Sequence, residues 1–230
     1  EETMALIKSG VHPATQGELG RRLLKQMQYT LAVAVLSAHP TDNSTEPWGR
    51  SFDYDPFVTT VGSHNRGSKS RAKAKAWPRL RFAREMLRLK QIINSDPTNA
   101  GAQFLYATGV YNTTWFVNSP LITLNSRATG GFPGKRPELT NALNAAKTHY
   151  QHAFDATGKR ELKVKILYAL SKVELTQILI NDPPRFIDTK NITKLKAKGF
   201  GQYFTQIKDY KNTDYFREVI RACGVYQNFH

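Results

Sequence analysis

The stretch Asp96-Pro97-Thr98-Asn99-Ala100 is typical of a helix start, because the Asp96 side chain can cap the helix by accepting free backbone N–H groups and Pro97 tolerates the first helical turn. Further along, Ala146-x3-Tyr150-x2-Ala153 places small, large and small residues on one face of a helix. Small residues let two helices approach closely, and one aromatic ring fills the gap. Residues 96–173 therefore predict antiparallel helices that pack through close contacts.

Apolar residues recur at helical spacing through much of the chain. The pattern predicts an all-α protein, a short α-solenoid of tetratricopeptide-like antiparallel helical hairpins with long loops. We divide it into two regions: residues 1–60 hold an N-terminal helix and loops, and residues 61–230 form the tetratricopeptide-like helical domain. The chain starts at Glu1 without an initiator methionine, as a processed or excised part of a longer protein would.

Start and stop signals bound the predicted elements. Thr15-x-x-Glu18 reads as a capping box for one helix over residues 16–38, and residues 57–61 are compatible with a short strand. Asp96 and Pro97 start a helix that ends near residue 116. Further helices are predicted over residues 137–158, ended by a left-handed Gly158, and over 159–180. In the tail we predict helices over 201–210 and after Asn212 or Thr213, with Tyr226 and Phe229 covering the end of the stack.

Composition limits the function classes. The 230 residues carry a net charge of +15, which favours contact with nucleic acid, an anionic membrane surface or an acidic protein. The longest apolar run, residues 27–38, is too short to cross a bilayer. Cys223 is the only cysteine, so an internal disulfide is excluded and a buried structural thiol is expected.

Positive charge is most concentrated over residues 66–90, where Glu85 is the only acidic residue. Half of this run is expected in a loop and half on a solvated helix face that starts near Pro78. We predict that it forms the partner-binding region. The candidate residues are Arg66, Lys69, Arg71, Lys73, Lys75, Arg79, Arg81, Arg84 and Arg88.

Two stretches carry a resemblance to a known group of proteins. The first starts at residue 96 and includes Gly109-x-Tyr111-Asn112-x2-Trp115-Phe116; the second is Tyr210-x2-Thr213-x-Tyr215-Phe216 and continues to Gly224. They resemble the C-terminal region of large, uncharacterised tetratricopeptide-like proteins of Bacteroidota, many of them envelope proteins. The resemblance covers about residue 54 to the C-terminus. It implies a helical-repeat scaffold in the periplasm or at the outer membrane, and it transfers no catalytic residue.

Sites for catalysis or metal are weakly indicated. His149-x2-His152-x2-Asp155 puts three potential zinc ligands on one helix face, but one face rarely supplies a complete site, so we interpret them as polar surface residues. The glycines of residues 130–134 lack the Lys-Ser/Thr ending of a phosphate-binding loop. We therefore predict no catalytic residue, no metal and no cofactor.

The predicted function is a non-catalytic scaffold that mediates protein–protein interaction as a subunit of a larger, envelope-associated assembly. Its partner is expected to be an acidic or membrane-associated protein, with RNA and anionic lipid head groups as further candidates and no small-molecule substrate. The alternative is an RNA-associated helical-repeat protein, such as a ribonucleoprotein subunit, that uses the basic residues 66–90. An enzyme is the third option.

Overall fold

The structure, a computed structural model, describes residues 13–38, 55–59, 61, 77–114, 119, 122–123, 136–182 and 192–229. These residues are helical or irregular and include no strand, which confirms the all-α class for them. The α-helices in chain order are α1 (Pro13–Lys25), α2 (Tyr29–Ser37), α3 (Arg79–Ser95), α4 (Ala100–Asn112), α5 (Pro137–Ala156), α6 (Arg160–Asn181), α7 (Ile192–Ala197), α8 (Gln202–Ile207), α9 (Asp214–Ala222) and α10 (Gly224–Phe229). A 3-10 turn at Lys208–Tyr210 follows α8. Within these ranges no helix combines the length and apolar character that crossing a membrane requires.

The long helices stack in chain order. Each of α1 to α5 packs against the helix that follows it, and α6 packs against α5, α8 and α9. One hydrophobic core runs through the whole stack, from Leu23 in α1 to Tyr226 in α10. Helices on both sides of residue 60 contribute to this core, and the predicted division into two regions stays a prediction.

The packing of α4, α5 and α6 follows the sequence pattern closely. Ala146, Tyr150 and Ala153 are fully buried, as their spacing predicts. The Tyr150 hydroxyl donates to the Thr108 hydroxyl of α4 at 3.1 Å, which satisfies the polar end of the buried ring. Helix α6 is buried on most of its circumference, since it lies between α5 on one side and the tail helices on the other.

The single helix predicted over residues 16–38 is wrong, because α1 ends at Lys25 and α2 starts at Tyr29. Met27 has a φ of 58°, in the left-handed region. The Gln28 N–H donates to the Leu23 carbonyl at 2.9 Å and the Met27 N–H to the Leu24 carbonyl at 3.0 Å. This pair of bonds is a Schellman ending, which usually takes glycine at the position Met27 occupies. Side-chain spacing alone did not indicate the break.

Three smaller predictions also need correction. Asn99, rather than Asp96, caps α4 by accepting the Ala102 N–H at 3.0 Å, while Asp96 closes a turn with Thr98. The described residues of the predicted strand, 57–59 and 61, do not form a strand. Gly158 follows the end of α5, but its φ is not in the left-handed range.

The tail covers one end of the stack, as expected. Thr213 caps α9 by accepting the Phe216 N–H at 3.2 Å, which confirms one of the two predicted caps. The rings of Tyr226 and Phe229 lie 5.2 Å and 5.6 Å from the Phe204 ring. Gly201 has a φ of 120°, and a side chain there would collide with Phe229. Helices α7 and α10 were not predicted.

Candidate functional site

Nine basic residues were predicted to bind a partner, and the structure describes four of them. Arg79, Arg81, Arg84 and Arg88 all lie on α3. The other five lie outside the described residues: Arg66, Lys69, Arg71, Lys73 and Lys75. The geometry of the site therefore rests on α3.

Helix α3 is amphipathic, and this fixes which of its residues reach solvent. Its inner face is formed by Phe82, Ala83, Met86, Leu89 and Ile93. These residues recur every three or four positions and pack against α2 and α4. Residues between them point outward, so the helix period places a row of basic side chains on the opposite face.

Arg79 does not belong to that outer row. Only 6% of its surface is exposed, and its Nε donates to the Ile122 carbonyl at 3.1 Å. Arg21 of α1 makes a similar bond to the Thr123 carbonyl at 2.8 Å. Two arginines from different helices thus hold the backbone at residues 122–123 in place, and Arg79 is a structural residue in this fold.

Arg81, Arg84 and Arg88 are exposed, as the helix period predicts. The Arg81 guanidinium lies 3.9 Å from the centre of the Trp77 ring, and Arg84 donates a long 3.4 Å bond to the Ser37 hydroxyl. Arg88 forms an ion pair with Glu85 at 2.6 Å, and this hydrogen bonding raises the pKa of Arg88. The charge of Arg88 is thus already partly compensated.

Lys90 is a further basic residue of α3, but the helix period turns it by about 180° from Arg81. It is solvent-exposed, and its positive charge helps to lower the pKa of His149. Among the described residues, no carboxylate forms an ion pair with Arg81, Arg84 or Lys90. We call Arg81, Arg84 and Arg88, which the helix period places on one side of α3, the α3 basic face. Its surplus of positive charge suits a negatively charged partner.

Trp77 is the aromatic residue of the basic run. Its ring lies 5.0 Å from the ring of Phe57, which in turn stacks on Phe82 at 5.7 Å. The Asn112 amide donates to the Pro56 and Val58 carbonyls at 2.9 Å and 3.0 Å, which fixes this segment against α4. Part of the surface of the Trp77 ring is therefore already in contact with Phe57 and Arg81.

His149 is not the plain surface residue that its sequence context predicted. It is half-buried, and its Nδ1 lies 2.5 Å from the Oε1 of Gln103, a residue of α4 that is only 1% exposed. The Gln103 amide nitrogen donates to the Pro97 carbonyl at 2.9 Å, so its oxygen accepts from the imidazole. Burial, with the charges of His152 and Lys90, lowers the pKa of His149 to about 4.

A metal site is not assembled around these histidines. His152 is exposed, with its ring 6.2 Å from that of His149, and Asp155 accepts a bond from Gln151. Across the described ranges, no group of three or more His, Cys, Asp or Glu side chains is placed to hold a metal ion. The contacts of His149 connect α5 to α4, which is a packing role.

A small cavity of about 60 Å³ lies where α1, α2, α4 and α5 meet. Its walls are Leu24, Lys25, Met27, Tyr29, Val110, Thr113, Thr114, Thr123, Arg136, Glu138, Leu139 and Ala142. The volume is enough for a few water molecules. The three threonine hydroxyls donate to the backbone carbonyls of Val110, Tyr111 and Thr113. No local pattern in the sequence predicts this cavity, because its walls come from segments far apart in the chain.

No family model matches the chain, and no curated protein or solved structure matches it either.

Proposed function

We propose that the chain is a non-catalytic helical-repeat scaffold that binds an acidic protein partner through the α3 basic face, as a subunit of a larger assembly. The observation that carries the proposal is the exposure of Arg81 and Arg84 on one side of α3, where no carboxylate of the described residues forms an ion pair with them. Arg79, which sequence alone grouped with them, is excluded from the contact because it is buried.

The arrangement of the helices supports a scaffold of tetratricopeptide-like hairpins. Short connections at residues 96–99 and 157–159 join α3 to α4 and α5 to α6, and each pair packs side by side. At Gly109 an added Cβ would lie 2.6 Å from the Met86 sulfur, so α3 and α4 approach as closely as glycine allows. Stacked hairpins present extended surfaces, which suit binding to another macromolecule.

The envelope setting is part of the same proposal. The sequence resemblance to tetratricopeptide-like proteins of Bacteroidota motivates a periplasmic or outer-membrane-associated assembly. An acidic protein is favoured over RNA as the partner because Trp77, the aromatic residue closest to the basic face, is already packed against Phe57 and Arg81. RNA binding through stacking requires free aromatic faces.

The experiment is affinity purification of the tagged chain from its source cells, with and without nuclease, followed by mass spectrometry. We expect nuclease-resistant recovery of acidic envelope proteins. Recovery of ribosomal or RNA-binding proteins that disappears with nuclease contradicts the proposal and establishes the ribonucleoprotein alternative.

A matched pair of variants links the recovery to the α3 basic face. One variant is Arg81→Glu, Arg84→Glu and Arg88→Glu; the control is Lys208→Glu, Lys211→Glu and Arg221→Glu, at exposed positions of the tail. Both change the net charge equally, so a general effect of charge affects both. We expect the α3 variant alone to lose at least about tenfold of the recovered partner, with a loss that grows as salt is lowered.

A further inference from the structure

The cavity where α1, α2, α4 and α5 meet has a buried, largely apolar floor. Leu24, Tyr29 and Val110 lie in its wall, and all three are buried. The three threonines of the wall direct their hydroxyl hydrogens to backbone carbonyls, so none of these hydroxyls is left to donate to a ligand. The floor of the cavity therefore suits an aliphatic group.

The opening of the cavity is charged, and we call Lys25, Arg136 and Glu138 the charged opening. Lys25 lies in the last turn of α1 and Glu138 in the first turn of α5. The Lys25 Nζ is 3.8 Å from Oε1 of Glu138, which is longer than a hydrogen bond. This contact leaves the hydrogen-bonding capacity of both groups to a ligand, and Arg136 adds a second positive charge beside them.

The size of the cavity limits the ligand. A volume of about 60 Å³ holds roughly four to six groups of the size of a water molecule or a methyl group. The side chains of free valine, leucine and isoleucine have three or four carbon atoms and fit this volume, whereas the seven carbons of a phenylalanine side chain exceed it. An α-amino acid also carries its ammonium and carboxylate groups on neighbouring atoms, which matches the adjacent opposite charges of Lys25 and Glu138.

We propose that this cavity binds a free branched-chain α-amino acid, such as leucine. The aliphatic side chain fills the floor beside Leu24 and Val110. The carboxylate of the ligand accepts hydrogen bonds from Lys25 and pairs with the charge of Arg136, while its ammonium group donates to Glu138. The site goes beyond the proposed scaffold function and does not involve the α3 basic face.

The ligand joins helices that are far apart in the sequence. Its charged groups contact α1 and α5, and α2 and α4 supply further walls of the cavity. A ligand that binds the folded chain and not the unfolded chain stabilises the folded state by mass action. Binding therefore raises the melting temperature of the chain, and the concentration of the amino acid sets how stable this part of the stack is.

The test measures binding of L-leucine to the wild-type chain by isothermal titration calorimetry and by the shift of its melting temperature. We expect saturable binding and a melting temperature that rises with leucine concentration. Glycine, which lacks the side chain, and 4-methylpentanoate, which lacks the ammonium group, should each bind at least about tenfold more weakly than leucine. L-Phenylalanine should also bind more weakly, because its ring exceeds the volume of the cavity.

Two variants assign the binding to the cavity. Lys25→Met keeps an unbranched apolar side chain and removes the charge, so it should weaken leucine binding by at least about tenfold. Lys211→Met, at an exposed position of the tail, is the matched control and should bind leucine as the wild type does. Ala142→Leu on α5 fills the cavity and should abolish binding. Circular dichroism shows whether each variant is folded, and the ligand series on the wild-type chain decides the proposal even if one is not.

Four results would each overturn the proposal. The first is the absence of leucine binding to the wild-type chain. The second is glycine binding as tightly as leucine, because the cavity floor would then contribute nothing. The third is equal binding of 4-methylpentanoate, which would indicate a site for simple anions. The fourth is an unchanged leucine affinity in folded Lys25→Met.

Discussion

Arg79 and Arg81 lie two residues apart on α3, but their surroundings are opposite. Arg79 is buried and holds the Ile122 carbonyl, whereas Arg81 lies over Trp77 at the surface. The helix period turns the two side chains toward different faces. The buried face of α3 supports the stack, and the α3 basic face remains for a partner. A basic run in a sequence can therefore contain both structural and binding residues.

The largest expected effect on this comparison comes from removing Arg79. Arg79→Met should lower the free energy of unfolding by about 2–3 kcal/mol, because the buried Ile122 carbonyl loses a charged donor. Arg81→Met should change it by less than about 0.5 kcal/mol, since Arg81 is exposed. Urea denaturation followed by circular dichroism measures both. An equal decrease in unfolding free energy in the two variants would contradict a structural role for Arg79 that Arg81 lacks.

A substitution at Gly109 of α4 tests the contact between α4 and the buried face of α3. Gly109→Ala should cost about 1–3 kcal/mol, because the new Cβ would lie 2.6 Å from the Met86 sulfur and 2.8 Å from the Phe57 ring. The control is Gly101→Ala on the same helix, where the nearest atom is 3.6 Å away. That change should stabilise the chain by roughly 0.5 kcal/mol. A stabilising Gly109→Ala would contradict the close approach of α3 and α4.

A smaller effect concerns His149 of α5, whose pKa also responds to the charge of Lys90 on α3. Its pKa in the folded chain, about 4, lies below the ordinary 6.5. Its contribution to stability is therefore complete above about pH 6.5 and is lost as the pH falls through about 4. Because solvent reaches the half-buried ring, we expect the loss of unfolding free energy at low pH to be about 1–2 kcal/mol, less than the full pKa shift would give.

Unfolding free energies between pH 7 and pH 4 measure this contribution. In His149→Asn, whose amide can still donate to Gln103, the extra loss at low pH should disappear. Exposed His152→Asn should only reduce that loss, because the charge of His152 also lowers the pKa of His149. Lys90→Gln should raise the pKa of His149, because it removes a nearby positive charge. An unchanged NMR titration of His149 in Lys90→Gln would exclude that coupling.

Helical spacing predicted most of the core correctly. Tyr150 and Ala153 are buried on α5 and α6 lies inside the stack, because these features depend on periodicity within one helix. The backbone conformation of the two three-residue connections, residues 26–28 and 157–159, was harder to predict from the sequence. Gly158 was expected to be left-handed and is not, while Met27 was expected inside a helix and is left-handed. Glycine permits that conformation, but packing of the flanking helices decides where the chain adopts it.

The candidate site was predictable only in part. The period of α3 identifies Arg81, Arg84 and Arg88 as neighbours on one face. The burial of Arg79 depends on residue 122, and the bond of His149 depends on Gln103, 46 positions earlier. Such contacts are set by how distant segments pack, and no local pattern in the sequence encodes them.

The most direct test of the account is the amount of partner recovered by the two triple charge-reversal variants at about 150 mM salt. The account predicts that the variant at Arg81, Arg84 and Arg88 loses the nuclease-resistant partner, while the variant at Lys208, Lys211 and Arg221 retains it. Equal recovery by both variants, or equal loss, would contradict a binding role for the α3 basic face.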